Sequence, residues 1–293
     1  MIFDVKHKNA FAYSQDVSIS HHILHLVPRD TPRQALHNST IIVDPAASLR
    51  LERRDFFGNP VTYLTVQEPH HLLKVLASSR VEVQPLGEFA TTDSPPWETV
   101  VDQLRRDTTF EVLDAAQFSF DSPYAESTED IYRYAQQSFT PGRPLLQATE
   151  ALTAAIFNEF EYQGGVTDLS TPPQQVLSTR KGVCQDFAHL QLACLRSLGL
   201  PARYVSGYLL TKPPEGQERL VGADASHAWI AVWCPNVGWI DYDPTNNLLV
   251  NDEHVTLAWG RDYGDVSPIK GFMLGGGSHE ITVEVDVAPV NTA

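Results

Sequence analysis

One stretch constrains this chain more than any other: Arg180-Lys181-Gly182-Val183-Cys184-Gln185-Asp186-Phe187-Ala188-His189-Leu190. Val183, Phe187, Leu190, Cys194 and Leu198 recur at three- and four-residue spacing, which predicts a helix with one buried face. Gly199 and Pro201 then supply glycine and proline stop signals. Upstream, Thr171-Pro172-Pro173 predicts a short helix over about 172–179, capped by Thr171 and broken by Gly182. Cys184 is thereby placed on the first turn of a buried helix, where unpaired N–H groups and the helix dipole favour a thiolate. Most unpaired cysteines are small core residues, so a nucleophile here needs partners from elsewhere in the chain.

The partners come from a predicted hairpin. Ser226-His227-Ala228-Trp229-Ile230-Ala231-Val232-Trp233 alternates as a strand, 235–238 reads as a turn, and Trp239-Ile240-Asp241-Tyr242-Asp243 returns. If Trp233 faces Trp239, odd-numbered residues of both strands share one face, so His227, Trp229, Asp241 and Asp243 lie together. Asp243 is then diagonal to His227, within reach of a side-chain hydrogen bond, whereas Asp241 falls opposite Ala231 and farther off. A one-residue slip would put His227 and Asp243 on opposite faces. A cysteine at a helix start, a strand histidine and a carboxylate on the next strand form the logic of thiol-dependent acyl transfer. The histidine moves the proton, the carboxylate orients the imidazole, and backbone N–H groups at the helix start supply part of an oxyanion hole. Side-chain oxyanion donors stay open among Tyr162, Gln163 and Gln185.

Other readings of these residues are a zinc site from Cys184, Cys234 and His227, and a non-catalytic module that binds peptides in the same cleft. The register puts Cys234 on the even face, away from His227, and Cys194 on the apolar stripe of its helix. His21, His22, His25, His70 and His71 lie on predicted strands with no Cys or Glu at ligand spacing, so no metal site is expected there.

Around the motif the chain has 293 residues, 42% of them hydrophobic, enough for a large core and two domains. Its net charge of −15 opposes nucleic acid and anionic membranes. The N-terminal sequence shows no signal-peptide pattern, and no apolar window reaches the length of a membrane span. Three cysteines without a C-x-x-C pair predict a reducing, cytoplasmic setting.

From Ser18 to about Gln84 short β-rich runs predict an antiparallel sandwich or half-barrel, assigned to residues 1–90. The remainder, 91–293, opens with the linker 91–96. Helices are predicted over 97–106, 127–138 (opened by Ser127 with Asp130) and 145–160. After the Cys184 helix come strands over 202–209, 227–233 and 239–243, a mobile loop at 212–216, and a closing strand over 281–285.

Gly182-Val183-Cys184-Gln185-Asp186-Phe187-Ala188, Leu198-Gly199-Leu200-Pro201-Ala202-Arg203, Ser226-His227-Ala228-Trp229 and Gly238-Trp239-x-x-x-Asp243-Pro244-Thr245 resemble the core motifs of the transglutaminase-like superfamily. They are most similar to its bacterial members, often described as predicted cysteine proteases. The first domain resembles the N-terminal region that accompanies that core in these proteins, and the segment 260–266 with the closing strand resembles their C-terminal portion. The resemblance implies an α+β fold: an N-terminal antiparallel β domain, then a papain-like, transglutaminase-like core of helices packed on an antiparallel sheet. It implies Cys184 as nucleophile, His227 as general base and acid, and Asp243 as orienting carboxylate. The expected partner is a peptide or amide substrate, with no cofactor. Animal transglutaminases carry tryptophan directly after the cysteine, where this chain has Gln185, and it shows neither their C-terminal barrels nor an acidic calcium loop. Hydrolysis is therefore expected over cross-linking.

Overall fold

The computed structural model describes residues 1–87, 89–211 and 226–290. Its first strand, β1 (Ile2–Leu24), is the spine of an antiparallel sheet completed by β2 (Gln34–Asp44), β3 (Leu49–Arg54), β4 (Pro60–Val66) and β5 (His70–Val83). The first half of β1 pairs with β5, which carries β2 on its far side; the second half pairs with β4, which carries β3. The exchange of partners falls at an irregularity between Ala12 and Val17. The strand therefore begins sixteen residues before Ser18, where β structure is expected from sequence. On its inner face Phe3 and Val5 are followed by His7 and Asn9, which are buried as well, and those polar residues mask the alternation.

Helices α1 (Trp97–Arg106), α2 (Phe110–Ala116), α3 (Glu129–Gln136) and α4 (Leu145–Glu159) come next. The cap of α3 is Thr128, whose Oγ1 accepts from Ile131 N, one residue beyond the expected Ser127. Strand β6 (Glu161–Tyr162) pairs in parallel with β7 (Lys181–Gly182), with α5 (Pro173–Thr179) between them in sequence. Thr171 does not cap α5. Pro172 holds that position, and the Thr171 hydroxyl instead accepts from Asp168 N. Helix α6 (Cys184–Ser197) then runs through the core, and Gly199 ends it at φ +81°, a left-handed conformation open to glycine.

The second sheet has the antiparallel order β11 (Leu248–Leu249), β10 (Gly238–Asp243), β9 (Ser226–Cys234), β8 (Ala202–Leu209), β12 (His254–Gly260). Ala228, Ile230 and Val232 of β9 join Phe187, Leu190 and Cys194 of α6 in the main apolar cluster. The register of β9 and β10 sets Trp233 opposite Trp239 and Asp241 opposite Ala231, as the hairpin arithmetic expects. The loop expected at 212–216 lies outside the described residues.

After α7 (Tyr263–Val266) the chain returns to its start. Strands β13 (Ile269–Gly275) and β14 (His279–Pro289) both pair with β1, and Val285 and Val287 pack beside Phe3 and Val5. The closing strand, grouped with 91–293 from sequence, thus completes the N-terminal sheet.

Two side-chain amides join the sheets. Gln34 donates to Thr256 O and accepts from Thr256 N at 2.7 and 2.8 Å; Asn59 does the same for Trp259 at 2.8 and 3.0 Å. Both satisfy backbone groups on the outer edge of β12, where an edge strand would otherwise expose them. Arg29 lies 3.0 Å over the Trp259 ring, Arg203 lies 3.6 Å from the same ring, and His7 Nδ1 meets the Tyr208 hydroxyl at 2.8 Å.

His7 gives a pH prediction. Burial lowers its pKa to about 4. The native state therefore holds it neutral while the unfolded chain takes up a proton below about 6.5. Its contribution is complete above that value and is lost as pH falls toward 4. At pH 5 the loss is about 2 kcal/mol. Thermal melts followed by tryptophan fluorescence should show a drop in Tm from pH 7 to pH 5 that is smaller in His7→Gln. Equal drops would contradict this assignment.

Candidate active site

The start of α6 is built by its own sequence. Asp186 Oδ2 reaches back one turn to accept from Val183 N at 2.8 Å and from Thr167 Oγ1 at 2.7 Å. That carboxylate at the third helical position satisfies a free N–H of the first turn. Gly182 is needed there because a Cβ would stand 2.8 Å from the Asp186 side chain. The result presents Cys184, only partly buried, at the helix end.

His227 stands at the start of β9, paired with Gly207 of β8. A side chain at Gly207 would collide with the Trp229 ring at 2.4 Å, so glycine lets that indole lie flat across the sheet beside His227. Trp229 Nε1 is fixed in turn by Asp241 Oδ2 at 3.1 Å. The shared odd face therefore divides its two carboxylates: Asp241 holds the tryptophan, and Asp243 holds the histidine.

The Asp243 carboxylate is fully buried and fully occupied. Oδ1 accepts from Thr245 N and Asn246 N at 2.9 and 3.2 Å. Oδ2 accepts from His227 Nε2 at 2.7 Å, Asn246 Nδ2 at 2.7 Å and His254 Nε2 at 3.2 Å. Burial opposes its charge, but these donors and the positive His227 ring overcome it and hold the carboxyl well below the usual range. His227 is the mirror case. Burial disfavours its charged form, yet hydrogen bonds to Asp243 and to Cys184, reinforced by their charges, raise its pKa to about 10. With Nε2 committed to Asp243, Nδ1 is the nitrogen left for the thiol.

His227 and Asp243 are thus joined by a 2.7 Å hydrogen bond, and Cys184 is near enough to His227 to help raise its pKa. Cys194 and Cys234 stand apart. Both are buried in the apolar cluster, where burial pushes the Cys194 thiol far up and the Cys234 thiol up to about 11. The zinc set Cys184, Cys234 and His227 is not assembled. Among the described residues, the metal-capable side chains that converge are His227, Asp243 and His254, which are already joined by hydrogen bonds.

Of the open oxyanion donors, Tyr162 has the site's neighbourhood. Its backbone pairs with Gly182, its ring packs edge-on to Phe187, and partial burial, then Cys184 and Asp186, push its phenol pKa up. Gln163 instead accepts from Lys181 Nζ at its Oε1, 2.9 Å away. Sequence reasoning missed Asn246, His254 and Asp186. An Asx pattern after Asp243 could have flagged Asn246, and the offset of three from Val183 could have flagged Asp186. His254 had no local signal, since β12 lies at the far edge of the sheet from β10.

The profile of the transglutaminase-like superfamily core matches residues 132–244, and that of the bacterial transglutaminase-like N-terminal region matches residues 3–82. The chain is 39% identical to an uncharacterized protein of Mycobacterium tuberculosis over 98% of this chain and 92% of that one. Over 33% of this chain and 16% of the relative, it is 34% identical to a protein-glutamine gamma-glutamyltransferase of Pseudomonas aeruginosa. A crystal structure of a predicted cysteine protease from Cytophaga hutchinsonii shares the fold, with a TM-score of 0.75 and 23% identity over 100% of this chain and 92% of that one. With both flanking and core regions matched in order, this chain belongs to the transglutaminase-like superfamily and carries its bacterial N-terminal region.

Proposed function

We propose that this protein is a cysteine-dependent acyl-transfer enzyme that hydrolyses a peptide, isopeptide or other amide bond through a thioester on Cys184. The observation that supports it most is the 2.7 Å hydrogen bond from His227 to the buried carboxylate of Asp243, with Cys184 at the start of α6 among the groups that raise the His227 pKa. Cys184 Sγ bonds to the carbonyl carbon while backbone N–H groups at the α6 start face the developing oxyanion. His227 passes its proton to the departing nitrogen, the C–N bond breaks, and an amine leaves. Water then gives His227 a proton, its oxygen attacks the thioester, and the C–S bond breaks to release an acid and the thiol. Asp243 keeps the ring in the tautomer and orientation that both transfers require. The substrate belongs with peptides and amides, and the reduced cysteines suit the cytoplasm.

A second reading, transfer of the acyl group to an amine, is favoured by the likeness to the gamma-glutamyltransferase. An amine overcomes the concentration of water only if the site binds and orients it. The net charge of −15 steers amines toward the surface without positioning one. Incubation with a cleavable peptide amide and a labelled primary amine at millimolar concentration and below should give mainly free acid, read by mass spectrometry. An excess of labelled amide well below amine saturation would make the protein a transferase.

A further inference from the structure

His254 opens β12 with its side chain almost wholly buried, and its Nε2 lies 3.2 Å from the same Asp243 oxygen that His227 uses. On the far side of the ring Nδ1 lies 3.2 Å from Asn251 Oδ1, and the His254 and Trp229 rings meet in a T-shaped contact with centroids 5.2 Å apart. Such a ring is packed on its sides and aimed at one carboxylate. Asp243 does not need it for placement, because Thr245 N, Asn246 N and Asn246 Nδ2, from its own turn, already fix both oxygens. What a further donor on Oδ2 changes is how much of that oxygen's charge remains for His227.

We propose that His254 is a positioning residue that tunes this site: donating from Nε2 to Asp243, it draws charge away from the Asp243–His227 bond and sets how tightly His227 keeps its proton. The inference rests on the proposed function, since it matters only where His227 must release that proton to a leaving group. An imidazolium held too firmly is a poor acid, and a second donor on its partner relaxes the hold. The groups that face the relay are Cys184 and Asp186 from α6, Tyr162 from β6, Tyr204 from β8, Asp243 and Asp241 from β10, and His254 from β12.

The pH dependence of Cys184 alkylation by iodoacetamide tests this without a substrate. The rate should rise in two steps, a lower one as the thiol–imidazole pair ionises and an upper one as His227 loses its proton. Replacement His254→Leu is expected to move the upper step upward by about one pH unit, the size of one charge-assisted hydrogen bond. His254→Gln, whose amide can donate from the place of Nε2, should keep the wild-type profile. An unmoved upper step in His254→Leu, or an equal shift in both variants, overturns the proposal. If neither variant folds, long-range ¹H–¹⁵N spectra of the wild-type protein decide: a proton on His254 Nε2 supports the proposal and a bare Nε2 overturns it. A single step in wild-type protein, at an ordinary thiol value, would instead remove the Cys184–His227 pair and with it the proposed function.

Discussion

Cys184→Ala is expected to abolish turnover, with kcat down by about a millionfold, as when the nucleophile of a triad that acts as a unit is removed. The loss comes from chemistry and not from folding. Cys184 is partly exposed on the first turn of α6, and alanine is a good helix former there. The helix start is held by Asp186 and Gly182, which the substitution leaves alone. Cys194→Ala and Cys234→Ala should show the opposite pattern: activity stays, and Tm falls because each leaves a small cavity in the main apolar cluster. Measured kcat and melting curves for the three variants check this. Substantial activity in Cys184→Ala would place the nucleophile elsewhere.

The second large effect separates two aspartates that lie two residues apart on the same face. Asp243→Ala should lower kcat by about 10⁴, the scale seen when the orienting carboxylate of a triad is lost. Asp241→Ala should lower kcat by less than about tenfold, because Asp241 reaches His227 only through Trp229. Its cost appears in stability. Removing it strips the acceptor from Trp229 Nε1 and leaves that buried donor unpaired, a loss of about 1–3 kcal/mol. Circular dichroism melts beside kcat measurements therefore divide the roles. The reverse ranking in kcat would contradict the geometry of β9 and β10.

Much of this division was legible from parity alone. Trp233 opposite Trp239 put His227, Trp229, Asp241 and Asp243 on one face, and the spacing of Val183, Phe187, Leu190 and Cys194 put Cys184 at the start of a buried helix. Both are local patterns with short periods. What stayed hidden is non-local. His254 is eleven residues from Asp243 in sequence but comes from a strand at the opposite edge of the sheet. The first half of β1 hides because His7 and Asn9 occupy inward positions that a hydrophobic alternation would give to apolar residues. The return of β13 and β14 to β1 joins the two ends of the chain, a pairing that no local spacing encodes. The caps fail for a smaller reason. Thr128 and Ser127 are adjacent candidates of the same kind, and Thr171 spends its hydroxyl on the turn at Asp168.

The most direct test of the central claim is to trap the acyl-enzyme. Wild-type protein mixed with p-nitrophenyl acetate, quenched in acid within the burst and digested for peptide mass spectrometry, should carry one acetyl group on the peptide that contains Cys184, bound as a thioester that hydroxylamine removes. Cys184→Ala should show neither the adduct nor the burst. An acetyl group on another residue of the wild-type protein, or a burst that persists in Cys184→Ala, would contradict the account.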